Sequence, residues 1–302
     1  MNLLILGMNG QLGWALERRA AGLGDVLALG HADLDLADPD AITDCIASIR
    51  PTLVLNAAAY TAVDRAQTER ELAFRVNAEG PAALATACAA HGAALIHYST
   101  DYVFDGRKTS PYVETDPTAP INVYGESKLA GEQAVLASGC AAIVLRTSWV
   151  YGDHGGNFAK TMLRLATERD SLRVVVDQRG TPTWAGRLAD LSCTLATQAA
   201  ASGDVLQWFG ERRGLYHASA AGETNWAEYA RQVLETAAET TLWAAKLKVR
   251  ADGIEAIPSS DYPTPAPRPA NSLLDSSALT RRFGYRMPDW REDLVPFVRR
   301  RT

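Results

Sequence analysis

The sequence predicts a doubly wound parallel α/β fold of Rossmann type with a smaller α/β unit toward the C-terminus. Three observations carry this. Short apolar runs alternate with helix-patterned stretches of ten or more residues over the first 150 positions. The runs are apolar at successive positions, as strands covered on both faces must be. A glycine-rich turn occupies the first strand-to-helix junction.

Leu3–Leu6 is the first strand and ends at Gly7. Gln11–Ala21 brings Leu12, Ala15 and Leu16 to helical spacing. Val26–Leu29 is a second strand, and Pro39–Ile49 sets Ile42, Cys45, Ile46 and Ile49 on one helix face. Leu53–Leu55, helix Glu71–Ala90, strand Ala94–Tyr98, helix Val123–Ala137 and strand Ala142–Leu145 continue the alternation. Beyond residue 150 the rhythm loosens. Asn157–Thr167 reads as a helix, and Leu172–Val176 as a sixth strand rejoining the sheet. Trp184–Ala200 is helical, Glu211–Gly214 a turn, Leu215–His217 a short strand and Trp226–Ala238 an amphipathic helix. Five prolines between Pro258 and Pro269 require an extended loop without regular hydrogen bonding. The expected division is therefore discontinuous, with residues 1–150 and 172–210 in the sheet domain and 151–171 and 211–302 in the smaller one.

The 302 residues suit about two domains, taking ~150 residues for each. Hydrophobic residues make up 47% and charged residues 22%, which excludes disordered and fibrous classes. A net charge of −5 gives no basic footprint for nucleic acid. No apolar run reaches the ~18 residues of a membrane span, and MNLLILG reads as a buried strand rather than a signal peptide. Cys45, Cys88, Cys140 and Cys193 are scattered through apolar segments, the usage of a reducing cytoplasmic compartment. The five histidines show no metal-ligand spacing.

Gly7-Met8-Asn9-Gly10-Gln11-Leu12-Gly13 has the spacing GxxGxxG between strand and helix. Glycines there permit the tight turn, let a pyrophosphate approach the helix N-terminus, and pack helix on strand. This predicts a dinucleotide. An NAD site places an acidic residue at the end of the second strand; here stand Gly30 and His31, with Asp33 and Asp35 only later. The missing carboxylate favours NADPH with NADH tolerated, His31, Arg18 or Arg19 neutralising the 2′-phosphate.

The fourth strand ends in Tyr98-Ser99-Thr100-Asp101, and Tyr124 and Lys128 follow at i and i+4 on one helix face. A nearby ammonium favours the phenolate and fits a tyrosine for acid–base work, while a threonine at the strand mouth can bind a carbonyl oxygen. With the glycine turn, these residues resemble the extended, sugar-nucleotide-modifying branch of the short-chain dehydrogenase/reductase superfamily. Asn56-Ala57-Ala58-Ala59 and Asn77 fit the same resemblance.

Further segments resemble the dTDP-4-dehydrorhamnose reductase family over nearly the whole chain. They include 56–64 (NAAAYTAVD), 97–104 (HYSTDYVF), 146–152 (RTSWVYG), 157–163, 177–183 and the proline-rich 262–272. The resemblance implies reduction of the C4 keto group of dTDP-4-dehydro-L-rhamnose to dTDP-L-rhamnose for cell-surface polysaccharide. It makes Thr100, Tyr124 and Lys128 catalytic. The cofactor would lie against Gly7, Gly10, Gln11, Leu12, Gly13, His31, Asp35, Leu36, Ala57, Ala58, Ala59 and Tyr60, with Tyr124 and Lys128 at its nicotinamide end. The sugar nucleotide would meet Thr100, Asp101, Tyr124, Trp149 and, at its pyrophosphate, Arg268. Tyr102 stands where the related dehydratases carry a glutamate, which agrees with a simple reductase. Some family members have been associated with a divalent metal held by glutamates near a dimer interface. Trp184-Ala185-Gly186-Arg187 offers no glutamate and Glu292 has only Asp293 beside it, so no metal is expected, while a homodimer stays open. The alternatives are a reductase of another 4-keto nucleotide sugar and a non-catalytic dinucleotide-binding regulatory subunit.

Overall fold

The computed structural model describes residues 1–300. Strands β1 (Asn2–Leu6), β2 (Asp25–Leu29), β3 (Leu53–Asn56), β4 (Ala94–Thr100) and β5 (Ala142–Thr147) join Gly214–His217 in one six-stranded sheet. Its order runs from Gly214–His217 through β5, β4, β3 and β1 to β2, and every pairing is parallel. The chain steps from β1 outward to β2, then returns to the other side of β1 as β3. That reversal opens a crevice beyond the carboxyl ends of β1 and β3, where ligands bind in such sheets.

Every residue of β3, β4 and β5 is buried, while the edge strand β2 is half exposed. One face is covered by helix α1 (Gln11–Arg19) and helices Ala185–Ala201 and Val205–Glu211, around Ile5, Leu55, Ile96 and Leu195. The other is covered by α2 (Pro39–Ile49) and helix Gly80–His91, around Leu4, Ile42, Val54 and Leu95. Helix Val123–Ala137 lies on this second side, its Val135 in the same core.

Two expectations need correction. Leu172–Val175 does not rejoin the central sheet but pairs with Ile254–Ile257 in a separate two-stranded ribbon. Its burial alternates, Arg173 pointing outward to Glu255 and Asp261, unlike the unbroken burial of β3, β4 and β5. Gly214–His217 takes the sixth place instead. The ribbon packs with helices Phe158–Glu168, Trp226–Ala238 and Trp290–Arg299 around Met162, Tyr229, Leu234 and Phe297, the core of the smaller unit. The long helix expected over 71–90 is likewise broken by a wider, π-helical turn at Arg75–Glu79. Pro81 has no N–H to return to Asn77, so the regular ladder cannot run through that point.

Candidate active site

A cavity of about 810 Å³ runs along the carboxyl ends of β1, β3 and β4. At one end is the glycine turn. Gly7 takes φ +85°, and a Cβ on it would stand 2.6 Å from the Ala58 nitrogen, so only glycine lets the β1 and β3 ends come this close. Gly10 caps α1 without a side-chain acceptor, and no acidic residue lies in the helix's first turn. The helix therefore presents unneutralised N–H groups, an electrostatic seat for phosphate.

Thr100 closes β4 at the other end. Its hydroxyl donates to Asp101 Oδ1 at 3.2 Å and accepts from the Tyr102 N–H at 3.2 Å. Tyr124 and Lys128 project from helix Val123–Ala137, whose start is fixed by Asn122. The Asn122 side-chain Oδ1 accepts from the Gly125 N–H at 2.8 Å, and its Nδ2 donates to the Pro267 carbonyl at 2.9 Å. One residue thus sets the helix and ties the proline-rich strap to it. Burial lifts the Tyr124 phenol to about 12, Thr100 drawing it back and Asp101 pushing it further up. Burial lowers the Lys128 ammonium to about 8 against the attraction of Glu132. The lysine donates to the Tyr98 carbonyl at 2.7 Å. Burial also raises Asp101 to about 7, although Ser272 and Thr100 oppose it. The lowering of Tyr124 by Lys128 foreseen from the spacing does not appear: burial sets the direction, and Thr100 and Asp101 are the neighbours that act on it.

Residues 1–302 match the family model described as "RmlD substrate binding domain". The chain belongs to that family. It is 46% identical over 96% of its length to a dTDP-4-dehydrorhamnose reductase of Burkholderia thailandensis, 96% of which is covered. Among solved structures, a dTDP-4-dehydrorhamnose reductase of Clostridium acetobutylicum superposes with a TM-score of 0.88 at 32% identity, covering 99% of both chains. One from Bacillus anthracis, in complex with NADP, gives 0.86 at 34% identity and covers 99% of this chain and 98% of its own.

Gly7, Gly10, Gln11, Leu12, His31, Asp35, Leu36, Ala57, Ala58, Ala59, Thr100, Asp101, Tyr124, Lys128 and Trp149 all line the one cavity. Three expected residues are not in its wall. Gly13 lies under the turn, where a Cβ would stand 2.0 Å from the Gly7 carbonyl oxygen. Tyr60 faces away: its N–H donates to Asn77 Oδ1 and its hydroxyl to Glu69. Arg268 is held by Asp64 at 2.9 Å. His31 is exposed at the rim, 3.6 Å from the Asp35 carboxylate. The sequence reading missed Trp226, Gly155 and Gly156, which also line the cavity. Trp226 stacks on Trp149 with ring centroids 3.6 Å apart, although the two are far apart in the chain. Trp149 itself takes φ +47°, a strained conformation for a large side chain. Among the described residues, no group of three or more His, Cys, Asp or Glu is placed to hold a metal, and no helix is long and apolar enough to cross a membrane.

Proposed function

We infer that this chain is an NADPH-dependent dTDP-4-dehydrorhamnose reductase, forming dTDP-L-rhamnose by reduction at C4 of the keto sugar. The observation that carries the reading is the convergence of Thr100, Tyr124 and Lys128 on a cavity that begins at a phosphate-binding glycine turn. The open N-terminus of α1, reached by the tight turn that Gly7 makes against Ala58, suits a dinucleotide. NADPH bound there supplies the hydride, and NADH is a tolerated substitute.

The chain's own residues supply the rest. Thr100 orients the carbonyl oxygen and Tyr124 gives it a proton. Lys128 supports the phenol and the cofactor ribose. Asp101 and Trp149 bound the sugar, and His31 at the exposed rim faces the 2′-phosphate. Arg268 borders the site from the strap and turns to the sugar's pyrophosphate from its resting partner Asp64, a bidentate role that guanidinium suits. The reaction fits a cytoplasmic enzyme, and a homodimer is the assembly we expect.

The test is NADPH consumption with dTDP-4-keto-6-deoxyglucose and its 3,5-epimerase. Turnover with this pair and not with UDP- or GDP-linked 4-keto sugars supports the reading. Turnover only with the latter moves the chain to another nucleotide sugar, and tight NADPH binding without turnover on any of them makes it a binding subunit.

A further inference from the structure

Two buried polar neighbours of Lys128 have no part in the chemistry above. His97 in β4 has no exposed surface, and Asn56 at the end of β3 is 1% exposed. They form a directed series of hydrogen bonds. The Ala58 N–H donates to Asn56 Oδ1 at 3.3 Å, which fixes the orientation of that amide. Asn56 Nδ2 stands 3.1 Å from His97 Nδ1 and donates to it. An imidazole accepting at Nδ1 carries its proton on Nε2. That Nε2 lies 3.5 Å from Lys128 Nζ. An ammonium has only donors and would meet this N–H with another; an amine has a lone pair that accepts it. The contact therefore favours the amine.

We propose that Asn56 and His97 are positioning residues for Lys128, fixing the imidazole tautomer that lets the lysine release and regain its proton during turnover. The idea rests on the reductase reading for its purpose. When the keto oxygen takes the Tyr124 proton, the phenol O–H bond breaks and a phenolate remains. The ammonium one helical turn away restores that proton and becomes an amine, which is reprotonated from water. The charged and titratable groups around Lys128 are few. His97 faces it from β4, and Tyr124 and Glu132 lie on its own helix. Arg146 from β5 binds Glu132 at 2.9 and 2.7 Å and so offsets the carboxylate's pull on the lysine. Burial and Lys128 hold His97 well below its ordinary range, so it remains neutral.

The experiment is a pH titration of the ligand-free protein labelled with ¹³C,¹⁵N-lysine. The chain has five lysines, and Lys128→Arg assigns the resonance. The Lys128 signal is expected to titrate near 8. His97→Gln, whose amide oxygen can turn to accept from an ammonium, should raise that midpoint by roughly one pH unit or more. The basic limb of the kcat profile should move with it. Asn56→Leu frees the other tautomer and should act in the same direction, which keeps the test open if one variant fails to fold. A Lys128 midpoint among those of the surface lysines, or one unmoved in a folded variant, would overturn the proposal. A shifted midpoint in a protein without reductase turnover would sink the functional reading and leave this one standing.

Discussion

Gly13→Ala isolates what the glycine turn does. Gly13 is within α1 and has helical backbone angles, so alanine relieves a propensity penalty of about 1 kcal/mol. The added Cβ, however, would lie 2.0 Å from the Gly7 carbonyl oxygen, 2.5 Å from its carbon and 2.9 Å from Met8 Cα. These are backbone atoms that cannot rotate away, so turn and helix must part by about 1 Å, an overpacking cost of about 1–3 kcal/mol. The two effects nearly offset, and thermal stability should fall by only a few degrees. Cofactor binding has no such compensation. A phosphate that loses one charge-assisted N–H contact to a 1 Å displacement gives up about 1.5–3 kcal/mol, or roughly a 10- to 100-fold rise in Kd. Quenching of tryptophan fluorescence by NADPH measures Kd, and calorimetry on the same samples measures Tm. A variant with Kd within about twofold of the parent would refute the claim that this close approach shapes the phosphate seat.

Tyr124→Phe removes the proton donor and should lower kcat by about 10²–10⁴-fold while NADPH still binds, as stopped-flow turnover and fluorescence titration would together report. Asp101 should make stability pH-dependent in a sense opposite to most carboxylates. Its folded value of about 7 lies above the ordinary 3.8, so the native state holds the extra proton between those limits and stability falls as pH rises through them. Asp101→Asn should flatten that slope and be more stable than the parent above pH 7, by up to about 4 kcal/mol in urea melts, with no difference below pH 4. Arg268→Ala should raise KM for the nucleotide sugar by about tenfold or more. Asp64→Ala frees the arginine and also removes the acceptor of the Ala266 N–H in the strap; KM unchanged or lowered would support the arginine's role, and equal increases in both would assign the pair to holding the strap.

What was legible in the sequence, and what was not, follows from how far apart the interacting residues lie. β1, the glycine turn and α1 are contiguous, so spacing alone defined them. Tyr124 and Lys128 share a helix face for the same reason. The sixth strand was misplaced because Leu172–Val175 and Gly214–His217 are both short and β-rich. The charge of Arg173 could not decide between them, since β5 buries Arg146 against Glu132 inside the sheet; what separates the two is the distant partner each finds, Ile254–Ile257 or β5. Trp226 and the Asn56–His97 series were invisible for a different cause. Each exists only once β3 lies beside β4, or once helix Trp226–Ala238 is docked over the sheet's end. Arg268 shows the same limit in reverse. Its type and its place in a proline-rich strap suggested an anion ligand, whereas the carboxylate it meets, Asp64, lies 204 residues away in the chain. The partly buried pair satisfies both charges, and the pyrophosphate that Arg268 is proposed to bind must compete with a carboxylate already in place.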